Sequence, residues 1–326
     1  MGLVKATTLA LVVCLCLSVV HVESQLQVGF YQSTCPQAEL IVMDEVRKAI
    51  SSNVSLAAGL LRMHFHDCFV RGCDGSVLID SNSTNTAEKD SPINNPSLHG
   101  FEVIDSVKTR LEAACKGVVS CADILAFAAR DSVVLTGGRT YQVQAGRRDG
   151  SVSLASETFS NLPAPTFDVS QLTQNFADKG LSLDEMVTLS GAHTIGRSHC
   201  SSFDSRLYDF NATVSQDPSL NPTYATQLAQ QCPQSSNDTG LVVPMDPRSP
   251  NTFDSNYYAN ILASRGLFTS DQVLLSNTST AAGVRGNAFN GMLWKAKFAA
   301  AMVKMGQIGV LTGSSGEIRL NCRVVN

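Results

Sequence analysis

Aromatic residues are scarce in this chain of 326 residues: 14 Phe, 6 Tyr and 1 Trp, thin for a module that stacks on carbohydrate. Charge is thin as well. Only 16% of residues are Asp, Glu, Lys or Arg, with 24 Lys and Arg against 28 Asp and Glu, so there is no basic footprint for nucleic acid or an anionic membrane. No internal repeat, no Gly-x-Ser-x-Gly elbow and no apolar run long enough to span a bilayer occurs. Disorder is excluded, because 44% of the residues are hydrophobic and charge density is low. Elimination leaves a soluble globular protein with ample residues for one large core.

The first segment and the cysteines point to one compartment. Lys5 precedes an apolar run, Leu9 to Val20, which is too short to cross a membrane and has no polar helix face. Val22 and Ser24 then offer small or uncharged side chains where a signal peptidase reads, which predicts a signal peptide over 1–24 and a secreted mature chain, 25–326. Cys322-Arg-Val-Val-Asn326 carries no retention tetrapeptide. Cys14 and Cys16 leave with the leader. The rest, Cys35, Cys68, Cys73, Cys115, Cys121, Cys200, Cys232 and Cys322, are even in number and imply four disulfides in an oxidising compartment. About a hundred connectivities remain open, although Cys68 and Cys73 are close enough to staple one loop. Sequons at Asn53, Asn82, Asn211, Asn237 and Asn277 fit the same secretory route.

Helical periodicity dominates the chain. Val42, Val46, Ala49 and Ile50 recur at helix spacing, as do Phe101, Ile104, Lys108 and Leu111. Asp168 to Gln171 reads as a helix start and Gly180 as its stop; Ser182 to Glu185 reads as a capping box before Met186, Leu189, Ser190 and His193. Phe289, Met292, Leu293, Ala296, Ala300 and Val303 predict the face of a last long helix. Short strands are expected at 77–79 and 142–144, and loops at 80–97, 155–167, 211–223 and 233–252. These signals predict a mainly α, single-domain protein.

The most informative stretch runs Arg62-Met-His64-Phe-His66-Asp67-Cys68, then Arg-Gly-Cys73-Asp74-Gly-Ser76. Four residues apart on a helix, Arg62 and His66 share a face, where a cation beside an imidazole can polarise a small anion while a proton moves. Asp67, Asp74 and Ser76 are hard oxygen ligands around a turn with Gly72 and Gly75, which suits Ca²⁺. A zinc site of His64, His66 and Cys68, or a merely stapled loop, are the alternatives; zinc is disfavoured by the expected oxidation of Cys68. The second constellation is Leu189-Ser-Gly-Ala-His193-Thr194-Ile-Gly196. His193 ends an apolar helix face, and Gly191, Ala192 and Gly196 leave room for something flat or serve close packing. Asp246, Ser249, Thr252 and Asp254, with Thr194, form a second oxygen-rich group that could hold Ca²⁺ or be a solvated turn.

Together these motifs, with the matched cysteines, resemble the plant secretory (class III) haem peroxidases, the horseradish peroxidase family. The resemblance runs from Gln25 almost to Asn326 and is sharpest at 61–68 and 188–196. It implies about a dozen helices in two halves that sandwich one haem b, two Ca²⁺ ions, and pairing of Cys35–Cys115, Cys68–Cys73, Cys121–Cys322 and Cys200–Cys232. It implies His193 as the proximal iron ligand, with Asp271 accepting its other N–H. His66 would be the distal acid–base group, Arg62 the stabiliser of O–O cleavage, Asn94 the partner of the distal histidine, and Phe65 part of the distal haem pocket. The distal Ca²⁺ would take Asp67, Asp74, Ser76 and the carbonyls of Val70 and Gly72, with Glu88 linked through water. The proximal Ca²⁺ would take Thr194, Asp246, Ser249, Thr252 and Asp254, and Pro163 would border the donor entrance. The implied reaction oxidises the haem by H₂O₂ to an oxo-ferryl state, then withdraws single electrons from small phenolic donors.

The phenylalanines that horseradish peroxidase presents at the haem edge align here with Pro92, Thr166 and Ser202, so donor preference does not carry over. Ser249 replaces the usual threonine and keeps its hydroxyl. The four residues after Cys322 lack a vacuolar extension, which favours the apoplast or cell wall. Roles in wall phenolic coupling, peroxide removal and stress response, and a monomeric state, complete the expectation. A non-catalytic Ca²⁺ glycoprotein on the same scaffold would be expected to lose Arg62, His66 or His193, and all are present; a hydrolase lacks its nucleophile motif.

Overall fold

A computed structural model describes residues 26–326, so the expected leader and Gln25 lie outside the described residues. The chain opens with β1 (Gln27–Val28), then α1 (Ala38–Ser52), α2 (Leu56–Val70), α3 (Phe101–Ala114) and α4 (Cys121–Leu135). β2 (Gln144–Ala145) pairs antiparallel with β1, Gln27 opposite Ala145. There follow α5 (Ala155–Asn161), α6 (Val169–Asp178), α7 (Leu183–Ser190), β3 (Arg197–His199) and α8 (Pro222–Gln231). β4 (Val242–Pro244) closes antiparallel on β3, and α9 (Asn256–Leu262), α10 (Thr269–Gln272), α11 (Thr278–Phe289) and α12 (Gly291–Met305) complete the fold. Strands are short and peripheral; the architecture is mainly α.

Local sequence explains the helices that position the site. α1 turns Ile41, Val42, Val46 and Ile50 inward, the face its spacing predicts. α6 and α7 each begin with a closed capping box. Asp168 accepts from the Gln171 N–H while Gln171 reaches back, and Ser182 and Glu185 repeat the exchange. The end of α7 is fixed from outside: Tyr258 Oη donates to the carbonyls of Val187 and Thr188, and Trp294 Nε1 donates to Thr188. Carbonyls with no partner inside the helix are thereby satisfied, and the turn Gly191–Thr194 that carries His193 is held in place.

Four expectations need correction. The last helix does not bury the predicted face. Asn290 divides α11 from α12, Phe289 and Met292 are 86% and 85% exposed, and the buried stripe is Trp294, Phe298, Ala301, Met302 and Met305. Apolar residues all round that segment made two stripes readable, and Trp294, stacked on Phe253 at 5.0 Å, decides between them. Residues 76–78 form a 3₁₀ turn, not a strand, because Asp67 accepts the N–H groups of Gly75 and Val77 and curls the chain. Residues 155–161, expected as loop, are helix α5; Thr158, its one buried residue, bonds to Ser91. The expected strand near 142–144 is displaced to 144–145.

Two helix groups share one core. On one side α2 packs against α4, and α1 against α3 and α4; on the other, α7 packs against α11 and α12, and α9 against α11. A smaller core of Phe203, Leu207, Leu220, Tyr224, Leu228, Val243 and Met245 supports the β3–β4 lobe. Among the described residues four disulfides tie the fold: Cys35–Cys115, Cys68–Cys73, Cys121–Cys322 and Cys200–Cys232. No described helix is long and apolar enough to cross a membrane.

Candidate active site

α2 carries both residues of the first motif. Arg62 Nε donates to His66 Nε2 at 3.0 Å, as the four-residue spacing requires. Arg62 is anchored by two residues the sequence reasoning missed: Nη1 donates to Ser97 Oγ and Nη2 to the Ile93 carbonyl, at 2.9 and 3.0 Å. Asn94 bridges. Its Nδ2 donates to the Glu88 carbonyl at 2.7 Å, so its Oδ1 is the atom that meets His66 Nδ1 at 2.6 Å. That oxygen can only accept, which puts the proton of His66 on Nδ1 and leaves a lone pair on Nε2. Burial, and then the charge on Arg62, hold the pKa of His66 well below its ordinary value, although Asn94 opposes. The imidazole is therefore neutral, and its Nε2 lone pair accepts from the Arg62 guanidinium. Phe65 flanks it, ring centroids 5.3 Å apart.

His193 sits just beyond α7 and is held by the same ring nitrogen, but by a carboxylate. Its Nδ1 meets Asp271 Oδ1, from α10, at 2.8 Å. Asp271 also accepts from the Phe268 N–H and from Tyr257 Oη, both at 2.9 Å. Burial pushes the Asp271 pKa up, but His193 and these donors outweigh it and hold the carboxyl below its usual range. A charged acceptor on Nδ1 leaves Nε2 as the nitrogen able to bind a metal, and makes it electron-rich. Gly191 and Gly196 serve close packing. A Cβ at 191 would meet Tyr258 Oη and Trp294, and one at 196 would meet Ala58 of α2.

Around each histidine lies an oxygen cluster. Asp67, Asp74, Ser76 and Glu88 are buried together, and Ser76 Oγ and both Glu88 carboxylate oxygens have no hydrogen-bond partner. Burial, with the charges of Asp74 and Glu88, raises Asp67 well above its usual value; burial pushes Glu88 up to about 8. Such crowded carboxylates fit a bound cation, and the Gly72 carbonyl accepts from the Asp74 N–H at 2.8 Å. The second cluster is knitted internally: Ser249 Oγ bonds to Asp246 and Asp254, each at 2.9 Å, Asn260 donates to Asp246, and Thr194 donates to Asp254. Thr252 lies exposed on the same turn. His64, by contrast, packs beside Cys68 Sγ at 3.7 Å, and the Cys68–Cys73 bond removes both sulfurs as zinc ligands.

With this geometry in place, known proteins give it a family. The family model described as Peroxidase matches residues 42–290. The chain belongs to the plant peroxidase family. It is 69% identical over 314 residues to Peroxidase 5 of Vitis vinifera, covering 96% of this chain and 95% of that one. It is 51% identical over 331 residues to Peroxidase 1 of Zea mays, covering all of this chain and 90% of that one. Peroxidase 3 of Arabidopsis thaliana is 50% identical over 308 residues, 94% of this chain. The fold is that of a haem peroxidase of the class III plant group, and the protein is an H₂O₂-dependent peroxidase.

In this peroxidase Pro163 is half-buried, on the loop that follows α5. That loop is tied beside Asp271, because the Ser270 N–H donates to the Pro165 carbonyl at 2.9 Å. Pro92 and Thr166 are exposed and Ser202 half-buried, so none of these three positions presents an aromatic side chain. The sequence reasoning did not find Ser97, Asn256, Asn260 or Tyr257. Asn256 and Asn260, four apart just after Asp254, were the only pair with a local signal.

Proposed function

We propose that this peroxidase binds one haem b between the two histidines, with His193 Nε2 on the iron, and oxidises small phenolic donors. Haem, when bound, supplies the oxidising equivalents taken from peroxide. The protein supplies the proton movement. His66 Nε2 takes the proton of H₂O₂ from the oxygen that stays and returns it to the oxygen that leaves, while Arg62 stabilises the negative charge as the O–O bond breaks. One observation carries the reading: Glu88 and Asn94 fix the protonated nitrogen of His66, which leaves Nε2 unprotonated, its lone pair accepting from Arg62.

Asp67, Asp74, Ser76, Val70 and Gly72, with Glu88 through water, would hold one Ca²⁺; Thr194, Asp246, Ser249, Thr252 and Asp254 would hold a second. The unpartnered oxygens of the first cluster support it. Pro163 borders the donor entrance. The chain is secreted to the apoplast or cell wall as a monomeric domain, 25–326, and acts in phenolic coupling, peroxide removal and stress response. Exposure of all five sequon asparagines is compatible with glycosylation on that route. An absorbance spectrum before and after one equivalent of H₂O₂ tests the function. A Soret band that falls and recovers on adding a phenol is expected. No haem band after reconstitution with hemin and Ca²⁺ would remove the assignment.

A further inference from the structure

Asp271 Oδ1 serves two donors at once. His193 Nδ1 reaches it at 2.8 Å and Tyr257 Oη at 2.9 Å, while Oδ2 is occupied by the Phe268 N–H. Tyr257 comes from α9 and is buried, its ring edge-on to the imidazole at 5.9 Å. Its neighbour Tyr258 spends its hydroxyl on the end of α7, so of the two adjacent tyrosines only Tyr257 reaches the carboxylate. A carboxylate oxygen that accepts a second hydrogen bond has less negative charge to offer the first donor. The imidazole N–H then keeps more of its proton, and Nε2 is a weaker electron donor than the histidine–aspartate pair alone would make it.

We propose that Tyr257 is a positioning residue of the proximal site, which weakens the pull of Asp271 on His193 and so sets the electron density at Nε2. The proximal unit is then a triad in which a neutral phenol trims the effect of a charged carboxylate. The position suits that role. The phenol is shielded from water, has a fixed partner, and approaches the same oxygen as the ring nitrogen rather than the other one.

This inference rests on the assignment of His193 as iron ligand, and the test separates the two. The haem-reconstituted protein is titrated electrochemically for its ferric/ferrous midpoint potential, and the iron–imidazole stretch of the ferrous form is read by resonance Raman. Tyr257→Phe keeps the ring and removes the donor; the potential should shift negative and the stretch should rise. Asp271→Asn should shift both the other way. A fluorinated tyrosine placed at 257, a stronger donor in the same shape, should move the potential positive and covers the case in which the phenylalanine variant folds poorly. No shift in Tyr257→Phe, or one in the direction of Asp271→Asn, overturns the role of Tyr257 while leaving His193 as ligand. No change in Asp271→Asn removes the proximal assignment, and the Tyr257 proposal with it.

Discussion

Two histidines face a similar demand in the two halves of the site, and each half meets it with a different partner. Both have Nδ1 occupied and Nε2 left for chemistry. His66 is held by an amide oxygen, His193 by a carboxylate. A neutral acceptor orients the ring and stabilises its cation less than a carboxylate would, so burial and Arg62 keep His66 unprotonated. A charged acceptor enriches the ring and suits a metal ligand. The oxygen clusters differ in the same spirit. The one around Asp67 leaves the side-chain oxygens of Glu88 and Ser76 without partners, whereas the one around Asp246 satisfies its carboxylates with Ser249, Asn256 and Asn260.

The largest way to break this pairing is at the proximal ring. His193→Ala should lose haem retention and with it nearly all activity; a haem titration that shows unaltered affinity and an unaltered Soret band would assign the iron to another residue. Next comes His66→Ala, which should keep haem and slow the peroxide step by at least ~10²-fold, the scale of a general acid–base group. Stopped-flow mixing with H₂O₂ reads it directly.

Calcium removal sharpens the contrast between the clusters. Chelation should lower the thermal midpoint, with a loss of roughly 3–4 kcal/mol if calcium stands at several hundred times its Kd. The loss should depend on pH. The folded calcium-free protein binds protons at Asp67 and Glu88 more tightly than the unfolded chain, so their contribution is full below the ordinary carboxyl range. It falls as pH rises through about 8, the value to which burial pushes Glu88. Calcium should abolish that slope; melts at pH 5 and pH 8, with and without chelator, check it. The smallest effect is expected at Ser249→Ala, where a hydroxyl shared by Asp246 and Asp254 is lost, about 1–2 kcal/mol in denaturant unfolding.

Part of this was legible in the residues and part was not, for physical reasons. Capping boxes at Asp168 and Ser182 are local chemistry and can be read directly. Arg62 and His66 share a helix face, so spacing alone brings them together. Asn94 lies 28 residues from His66, and Asp271 lies 78 from His193; no local pattern joins them, and only the family resemblance named both. Tyr257 had neither signal. The last helix was misread because Phe289, Met292 and Leu293 look like core yet face solvent, and periodicity cannot rank two apolar stripes when one contains Trp294. α5 was missed because a polar surface helix with one buried threonine carries almost no hydrophobic pattern.

The most direct test of the central contrast exchanges the partner of the distal ring. Asn94→Asp places a carboxylate where His66 now meets an amide, and the rate of the peroxide step is measured against pH for both proteins by stopped flow. The acid limb, where His66 becomes protonated and loses its lone pair, should move to higher pH in the variant. An unmoved limb, with haem bound and the peroxide step intact, would contradict the claim that the neutral partner keeps His66 a base.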